Sequence, residues 1–273
     1  MKNYSVLMSV YYKDNHLWLE ESINSMLGQT VKPNEFVLIK DGDLTNELNE
    51  TIDRISSKHP KLFKIIKMDS NVGLGIALSK GILACSNEII ARMDADDISL
   101  PTRIEKQLEV MRKQKLDVIG SWIGEFQKTT NELIAIRKLP EIHEEIKKYS
   151  KRRNPFGHPS IIFKKSKVLS SGNYKDRHLH EDYDLWARMI ANGCKCYNIQ
   201  EILVYMRTNE DFYKRRSGLK YLKKILSFKK QLYKQKYISS FDLFLAFIAH
   251  SVVCLMPNSL RKHFYLNMLR SKN

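Results

Sequence analysis

Over the first hundred residues, hydrophobic positions alternate between short solid runs and stretches where they recur every three or four places. Ser5 to Tyr12 is nearly all apolar, the pattern of a parallel strand buried on both faces. Leu17 to Leu27 has helical spacing through Leu19, Ile23 and Met26, and Glu35 to Lys40 reads as a second strand stopped by Asp41-Gly42. Leu44, Leu48, Ile52 and Ile55 line one face of a further helix. Phe63 to Met68 is a third strand, Leu74 to Ile82 a helix, and Glu88 to Met93 a fourth strand. Strands alternating with helices of this length predict βαβ units with right-handed crossovers, hence an α/β, Rossmann-like wound and mostly parallel sheet.

From Asp117 the rhythm changes. Val118 to Phe126 and Glu132 to Arg137 predict a hairpin around Thr129-Thr130-Asn131. A basic, Pro-containing loop from Lys151 to Pro159 leads to a strand at Ser160 to Phe163, then a helix at His180 to Asn192 ended by Gly193, and more strand from Cys194 to Val204. The pattern divides residues 1–212 into a wound half (1–115) and a second half (116–212), and sets apart a basic helical extension over 213–273.

Charge sharpens that last boundary. The net charge is +16, yet residues 1–212 carry 32 Lys+Arg against 29 Asp+Glu, while 213–273 carry 14 basic residues against one acid, Asp242. Such a tail seeks an anionic surface, either nucleic acid or phospholipid headgroups. Tyr213 to Lys236 holds ten Lys/Arg and no acid, with Leu222, Ile225, Leu226 and Leu232 at helical intervals, the composition of a basic amphipathic helix. Leu243 to Met256 follows, 14 mostly apolar residues, short of the roughly 20 needed to span a bilayer. Four cysteines are too few for a disulfide framework. The N-terminal apolar run has no small-residue cleavage site, so a reducing, cytoplasmic setting is expected.

Candidate chemistry concentrates after the fourth strand, at Asp94-Ala95-Asp96-Asp97. In open wound sheets ligands gather beyond the carboxyl ends of the strands. In extended chain, residues two apart point the same way, so Asp94 and Asp96 can face one site, where hard oxygen ligands suit Mn2+ or Mg2+ bridged to phosphate. Alone, the cluster is equally an acidic turn capping the helix that begins near Pro101.

The order of several motifs adds to this reading. Ser5-to-Tyr12, Lys40-Asp41-Gly42, Asn71-Val72-Gly73-Leu74-Gly75, Ala91-Arg92-Met93-Asp94-Ala95-Asp96-Asp97 and Pro101-x-Arg103 resemble family 2 glycosyltransferases, which have the GT-A fold. Gly172-Asn173-Tyr174 followed by His180-Glu181-Asp182-Tyr183-Asp184-Leu185-Trp186 resembles their Glu-Asp acceptor motif. The stretch from Tyr205-Met206-Arg207 through Arg215-Arg216-Ser217-Gly218 is similar to the end of bacterial O-antigen and exopolysaccharide β-glycosyltransferases, the amylovoran type among them. The resemblance covers about residues 4 to 220. One departure is Ser9-Val10-Tyr11-Tyr12, where many relatives end the first strand Pro-x-Tyr-Asn.

The resemblance implies a nucleotide-sugar-binding half at 1–115, an acceptor-binding half at 116–212, and an inverting hexosyltransferase. The donor is a UDP-sugar of the glucose or galactose type, and the acceptor a sugar on diphosphoundecaprenol in O-antigen, capsule or exopolysaccharide assembly, joined by a β linkage such as β-1,3. Tyr11, Asp41, Asn71, Gly73, Asp94, Asp96, Arg207, Arg215 and Arg216 are the implied donor contacts, with Asp41 on the base. The implied metal ligands for Mn2+ or Mg2+ are Asp94, Asp96 and Asp97. Asp182 is the implied catalytic base, and His158, Glu181 and Trp186 the implied acceptor contacts. Each has a plainer reading: Asp-Gly is a common turn pair, acids suit the first turn of any helix, His158 suits a structural role, and the arginines suit a charged surface. A lipid-linked acceptor makes peripheral attachment to the inner face of the bacterial inner membrane useful. Two rivals remain. A metal-dependent sugar nucleotidyltransferase would favour a Gly-rich basic signature, which Ser9-to-Asn15 lacks, and a nucleic-acid-binding protein fits poorly with the balanced charge of residues 1–212. The oligomeric state is open.

Overall fold

A computed structural model describes residues 3–177, 179–208, 217–257 and 260–261. The expected strands form where expected: β1 (Tyr4–Val10), β2 (Glu35–Lys40), β3 (Phe63–Lys67) and β4 (Ile89–Arg92) are joined by α1 (His16–Leu27), α2 (Asn46–Lys58) and α3 (Leu74–Ala84). Local chemistry sets the helix starts. The Asn15 side chain accepts the Leu17 and Trp18 N–H groups at the head of α1, and Thr45 accepts that of Leu48 at the head of α2, satisfying amides the helix cannot. β1 pairs parallel with β2 and β4, and β2 with β3.

Beyond β4 come the two-residue β5 (Ile98–Ser99), α4 (Arg103–Lys113), β6 (Val118–Phe126), β7 (Leu133–Arg137), α5 (His143–Ser150), β8 (Ile162–Lys164), α6 (Lys165–Ser170), α7 (Glu181–Ala191) and β9 (Cys196–Arg207). The described strands make one sheet in the order β3-β2-β1-β4-β8-β6-β9-β5, with β7 on the flank of β6. The run of parallel pairs breaks at β4, whose next neighbour β8 runs antiparallel, and parallel pairing returns between β6 and β9. Alternate side chains of β1 and β2 feed two cores. Val6, Met8, Phe36 and Leu38 pack under α1, α2 and α4, and Leu7, Val37 and Ile39 under α3 and α7.

The extension forms α8 (Gly218–Lys234) and α9 (Ser240–Leu255); residues 213–216, where the basic helix was expected to begin, lie outside the described set. The apolar face of α8 packs onto the rest of the fold, with Leu222, Ile225, Phe228 and Leu232 in one cluster with Tyr183 and Ala187 of α7. The same cluster takes Cys254 of α9, and the other three cysteines are buried as well. No described helix is long and apolar enough to cross a membrane.

Candidate active site

The sheet places its chemistry at the carboxyl ends of β1, β2 and β4. As β4 ends, burial alternates: Asp94 and Asp96 are half-buried, while Ala95 and Asp97 turn inward. Asp94 and Asp96 therefore share a side, as the two-residue period requires. The buried Arg92 guanidinium grips both carboxylate oxygens of Asp94. Burial opposes the charge of Arg92, and Asp94 more than restores it. The cluster is held from behind. Arg103, fully buried, donates to Arg92 O at 2.9 Å and Ile161 O at 3.2 Å, and Ser22 Oγ donates to Asp94 O at 2.6 Å.

Burial, followed by the charge of Asp94, pushes the Asp96 pKa up to about 6. Asp97 is raised further by burial and then by Asp96, although the Arg207 N–H donates to its Oδ1 at 2.9 Å. Asp14 joins this acidic patch: burial raises its pKa to about 7, Asp96 and Asp94 add to the rise, and its Oδ2 accepts the N–H of Tyr11 at 2.9 Å. Such crowding of anions calls for a cation. Asp94 and Asp96 present hard oxygens of the right kind, in the pattern by which Mg2+-like ions take one or two carboxylates and fill the remaining positions with phosphate and water. Among the described residues no three acidic, His or Cys side chains converge into a complete cage. Asp97, expected as a third ligand, is buried and directed at the Arg207 backbone, so it serves the loop rather than the cleft.

Asp41 and Asn71 meet at the end of β2. The Asp41 carboxylate accepts the N–H of Val72 at 2.8 Å and of Gly73 at 3.1 Å, and Asn71 Nδ2 donates to Asp41 O at 3.2 Å. Both oxygens expected to contact a base thus already brace the loop that opens α3. Gly42 is required there, because a Cβ would lie 2.6 Å from Asn71 N. Arg207 also departs from expectation. Its guanidinium lies 4.7 Å from the Trp18 ring and 4.6 Å from that of Phe126, with Nη2 on Glu21 at 2.6 Å and Nε on Asp96 O at 3.2 Å. It braces the Asp96-Asp97 loop instead of offering an open fork to phosphate. Arg215 and Arg216 lie outside the described residues.

The second wall is the first turn of α7. It abuts the head of α3, where a Cβ on Gly75 would stand 2.4 Å from Lys175 O and 3.1 Å from Glu181 Cβ. Burial and then Asp182 raise the Glu181 pKa to about 7, while Arg92 lowers it. Asp182, half-buried, is raised by burial, and two donors oppose that rise: Asn154 Nδ2 donates to its Oδ2 at 2.6 Å and the Tyr183 N–H to its Oδ1 at 2.6 Å. Of the two neighbours, Asp182 is the more exposed and Glu181 the more deeply buried. His158 shares a 3.0 Å hydrogen bond with Tyr174, and burial, then Arg92, lowers its pKa well below the usual imidazole range, leaving a neutral ring. Trp186 is a correction. It is fully buried among Phe156, Phe163 and Tyr174, so it supports the His158 ring at 6.2 Å from beneath and presents no surface to an acceptor.

Sequence reasoning gave no role to Arg92, Asp14 or Asn154. The signal for Arg92 was a charge inside an otherwise apolar strand, which only an ion pair tolerates. The profile of glycosyl transferase family 2 matches residues 5–170. Over 268 residues, 98% of this chain and 96% of the relative, the sequence is 38% identical to the UDP-Gal:alpha-D-GlcNAc-diphosphoundecaprenol beta-1,3-galactosyltransferase of Escherichia coli. It is 33% identical to the amylovoran biosynthesis glycosyltransferase AmsE of Erwinia amylovora, across 96% of this chain and 97% of that one. The mannosyltransferase PcManGT of Pyrobaculum calidifontis, solved with GDP-Man and Mn2+, superposes with a TM-score of 0.64 at 13% identity, covering 95% of this chain and 78% of its own. With this sheet, this order of motifs and these relatives, the chain belongs to glycosyl transferase family 2 and has the GT-A fold.

Proposed function

We propose that this glycosyltransferase moves a hexose of the galactose or glucose type from a UDP-sugar to a sugar carried on diphosphoundecaprenol, with inversion, forming a β linkage. The donor, acceptor class and β-1,3 position are those named for the 38% identical relative, which matches along nearly its whole length. The observation that carries the reading is the pairing of two differently tuned acidic sites around one buried cation. Arg92 grips Asp94 on the donor side, and its charge partly offsets the burial that raises Glu181 and Asp182 on the acceptor side.

In this scheme Asp182, oriented by Asn154 and the Tyr183 amide, takes the proton of the acceptor hydroxyl as that oxygen attacks C1 and UDP departs. Inversion requires such a base on the face opposite the leaving diphosphate, the arrangement also used by inverting hydrolases. His158 and Glu181 line the acceptor side, and Glu181, with its raised pKa, can donate a hydrogen bond to a sugar oxygen. Asp41 and Asn71 shape the loop against which uracil and ribose rest, alongside Tyr11 and Gly73. Mn2+ or Mg2+ held by Asp94 and Asp96 would offset charge on the departing UDP.

Peripheral attachment to the inner face of the membrane fits this acceptor. Phe241, Phe244, Phe247, Ile248, Val252 and Leu255 of α9 are all exposed, and Lys220, Lys223, Lys224, Lys230 and Lys234 line the outer face of α8. Apolar and basic surface together suit an anionic bilayer. The deciding experiment offers UDP-Gal and UDP-Glc with synthetic GlcNAc- or GalNAc-diphosphate-lipid acceptors, and reads product mass and anomeric configuration. A β-hexosyl product is expected; an α product, or pyrophosphate release in place of UDP, would overturn the reading.

A further inference from the structure

One basic residue of the extension is not on its surface. Lys229 of α8 is fully buried, and its ammonium donates to Tyr183 Oη at 2.7 Å, Arg152 O at 3.0 Å and Lys151 O at 3.2 Å, lying 4.6 Å from the centre of the Tyr183 ring. A lysine is rarely taken wholly out of water, and burial pulls its pKa down to about 7. The three acceptors account for its presence: they satisfy the ammonium, and two of them are carbonyls left over beyond the end of α5. Asp242, the extension's single acid, reaches Arg152 at 3.7 Å and binds α9 to the same turn.

These acceptors lie on the two segments that hold Asp182. Arg152 stands two residues before Asn154, whose amide donates to Asp182 Oδ2 at 2.6 Å. Tyr183 follows Asp182 directly, and its N–H donates to Oδ1 at 2.6 Å. The Tyr183 hydroxyl continues to Ser150 O at 2.5 Å, pinning the end of α5 to α7. One ammonium therefore holds the backbone two residues before one of these donors and the side chain of the residue that supplies the other.

We propose that Lys229 is a positioning residue for transfer: through it, the C-terminal extension clamps Asn154 and the first turn of α7 around Asp182. The clamp rests on the reading of Asp182 as the base. The extension is then part of the catalytic unit and more than a surface anchor.

A double-mutant cycle in the full chain tests this, with Lys229→Met and Asn154→Ala made singly and together. The readouts are kcat, KM for a short-chain acceptor and UDP affinity by calorimetry. Each single change should lower kcat on the order of 10- to 100-fold, the usual cost of a misplaced reacting group, with UDP affinity unchanged. The double variant should be no slower than the slower single one, because both changes break the same link. Losses that multiply, or wild-type kcat for Lys229→Met, would overturn the proposal. If Lys229→Met does not fold, Tyr183→Phe removes the oxygen that Lys229 reaches while keeping the ring. It should show the same non-additivity with Asn154→Ala, and multiplying losses would overturn the proposal there too. Asp182→Asn separates the two ideas. If that variant turns over normally, the base assignment falls; if it is inactive and the cycle is additive, only the clamp falls.

Discussion

Replacing Glu181 with Gln removes one of two adjacent carboxylates while keeping side-chain size. Burial, with Asp182 beside it, raises the Glu181 pKa from 4.5 to about 7. At 1.36 kcal/mol per unit, that rise corresponds to at most ~3 kcal/mol. Because the folded state binds the proton more tightly than the unfolded chain, this group costs nothing below about pH 4.5. Its cost grows as pH rises and is complete above about pH 7. Glutamine does not ionise, so the variant should be the more stable protein at about pH 8.5 and lose that advantage near pH 4.5. With roughly 2.1 cal/mol/K of unfolding entropy per residue, the gain over this chain is about 5 °C in Tm. Paired thermal unfolding scans of the two proteins across this pH range measure it. Asp14 and Asp96, also raised, act in both proteins and cancel in the difference. A variant no more stable than wild type at the alkaline end, or a difference that ignores pH, would refute the reasoning.

Other outcomes follow from the same geometry. Asp182→Asn should lower kcat by roughly 10²- to 10⁴-fold, the worth of a general base, while UDP still binds as measured by calorimetry. Asp96→Ala should abolish turnover and weaken UDP binding, and excess chelator should do the same to the wild type; full activity in chelator would remove the metal role. Gly75→Val should destabilise the protein by several kcal/mol in denaturant melts, since its side chain would enter the space of Lys175 O and the Glu181 side chain. Phe244→Glu with Phe247→Glu should weaken sedimentation with phosphatidylglycerol vesicles yet leave transfer to a short-chain acceptor intact; unchanged vesicle binding would free α9 of that role.

The wound half was legible because its rules are local. Solid apolar runs at Ser5–Tyr12 and Glu35–Lys40 can only be strands covered on both faces, and the acidic cluster had to follow the fourth of them. The second half, 116–212, was less so. β8 and β9 were visible as apolar segments, but nothing local says that β8 runs antiparallel beside β4 or that β9 reaches β5. The start of α4 near Pro101 was legible, whereas α5 and α6 are short and bury a single apolar residue each, Ile146 and Val168. Site residues divided in the same way. Asp94, Asp96 and Asp182 were proposed from motif order, whereas the inward turn of Asp97 and the burial of Trp186 depend on packing across the sheet. Lys229 was hidden among nine other basic residues from Tyr213 to Lys236, because only the contact with α7 tells the buried lysine from the solvated ones.

The burial of Trp186 has a practical side. The chain has three tryptophans: Trp186 lies dry beneath His158, Trp18 lies half-buried under the Arg207 guanidinium, and Trp122 donates its Nε1 hydrogen to Leu139 O on the far part of the sheet. On the proposed function, intrinsic emission would therefore report each substrate without an added dye. A nucleotide that shifts Arg207 will change the light from Trp18, and a sugar that reorders His158 will change the bluer component from Trp186. On the proposed placement of donor and acceptor, two chromophores native to the chain would time their arrival separately.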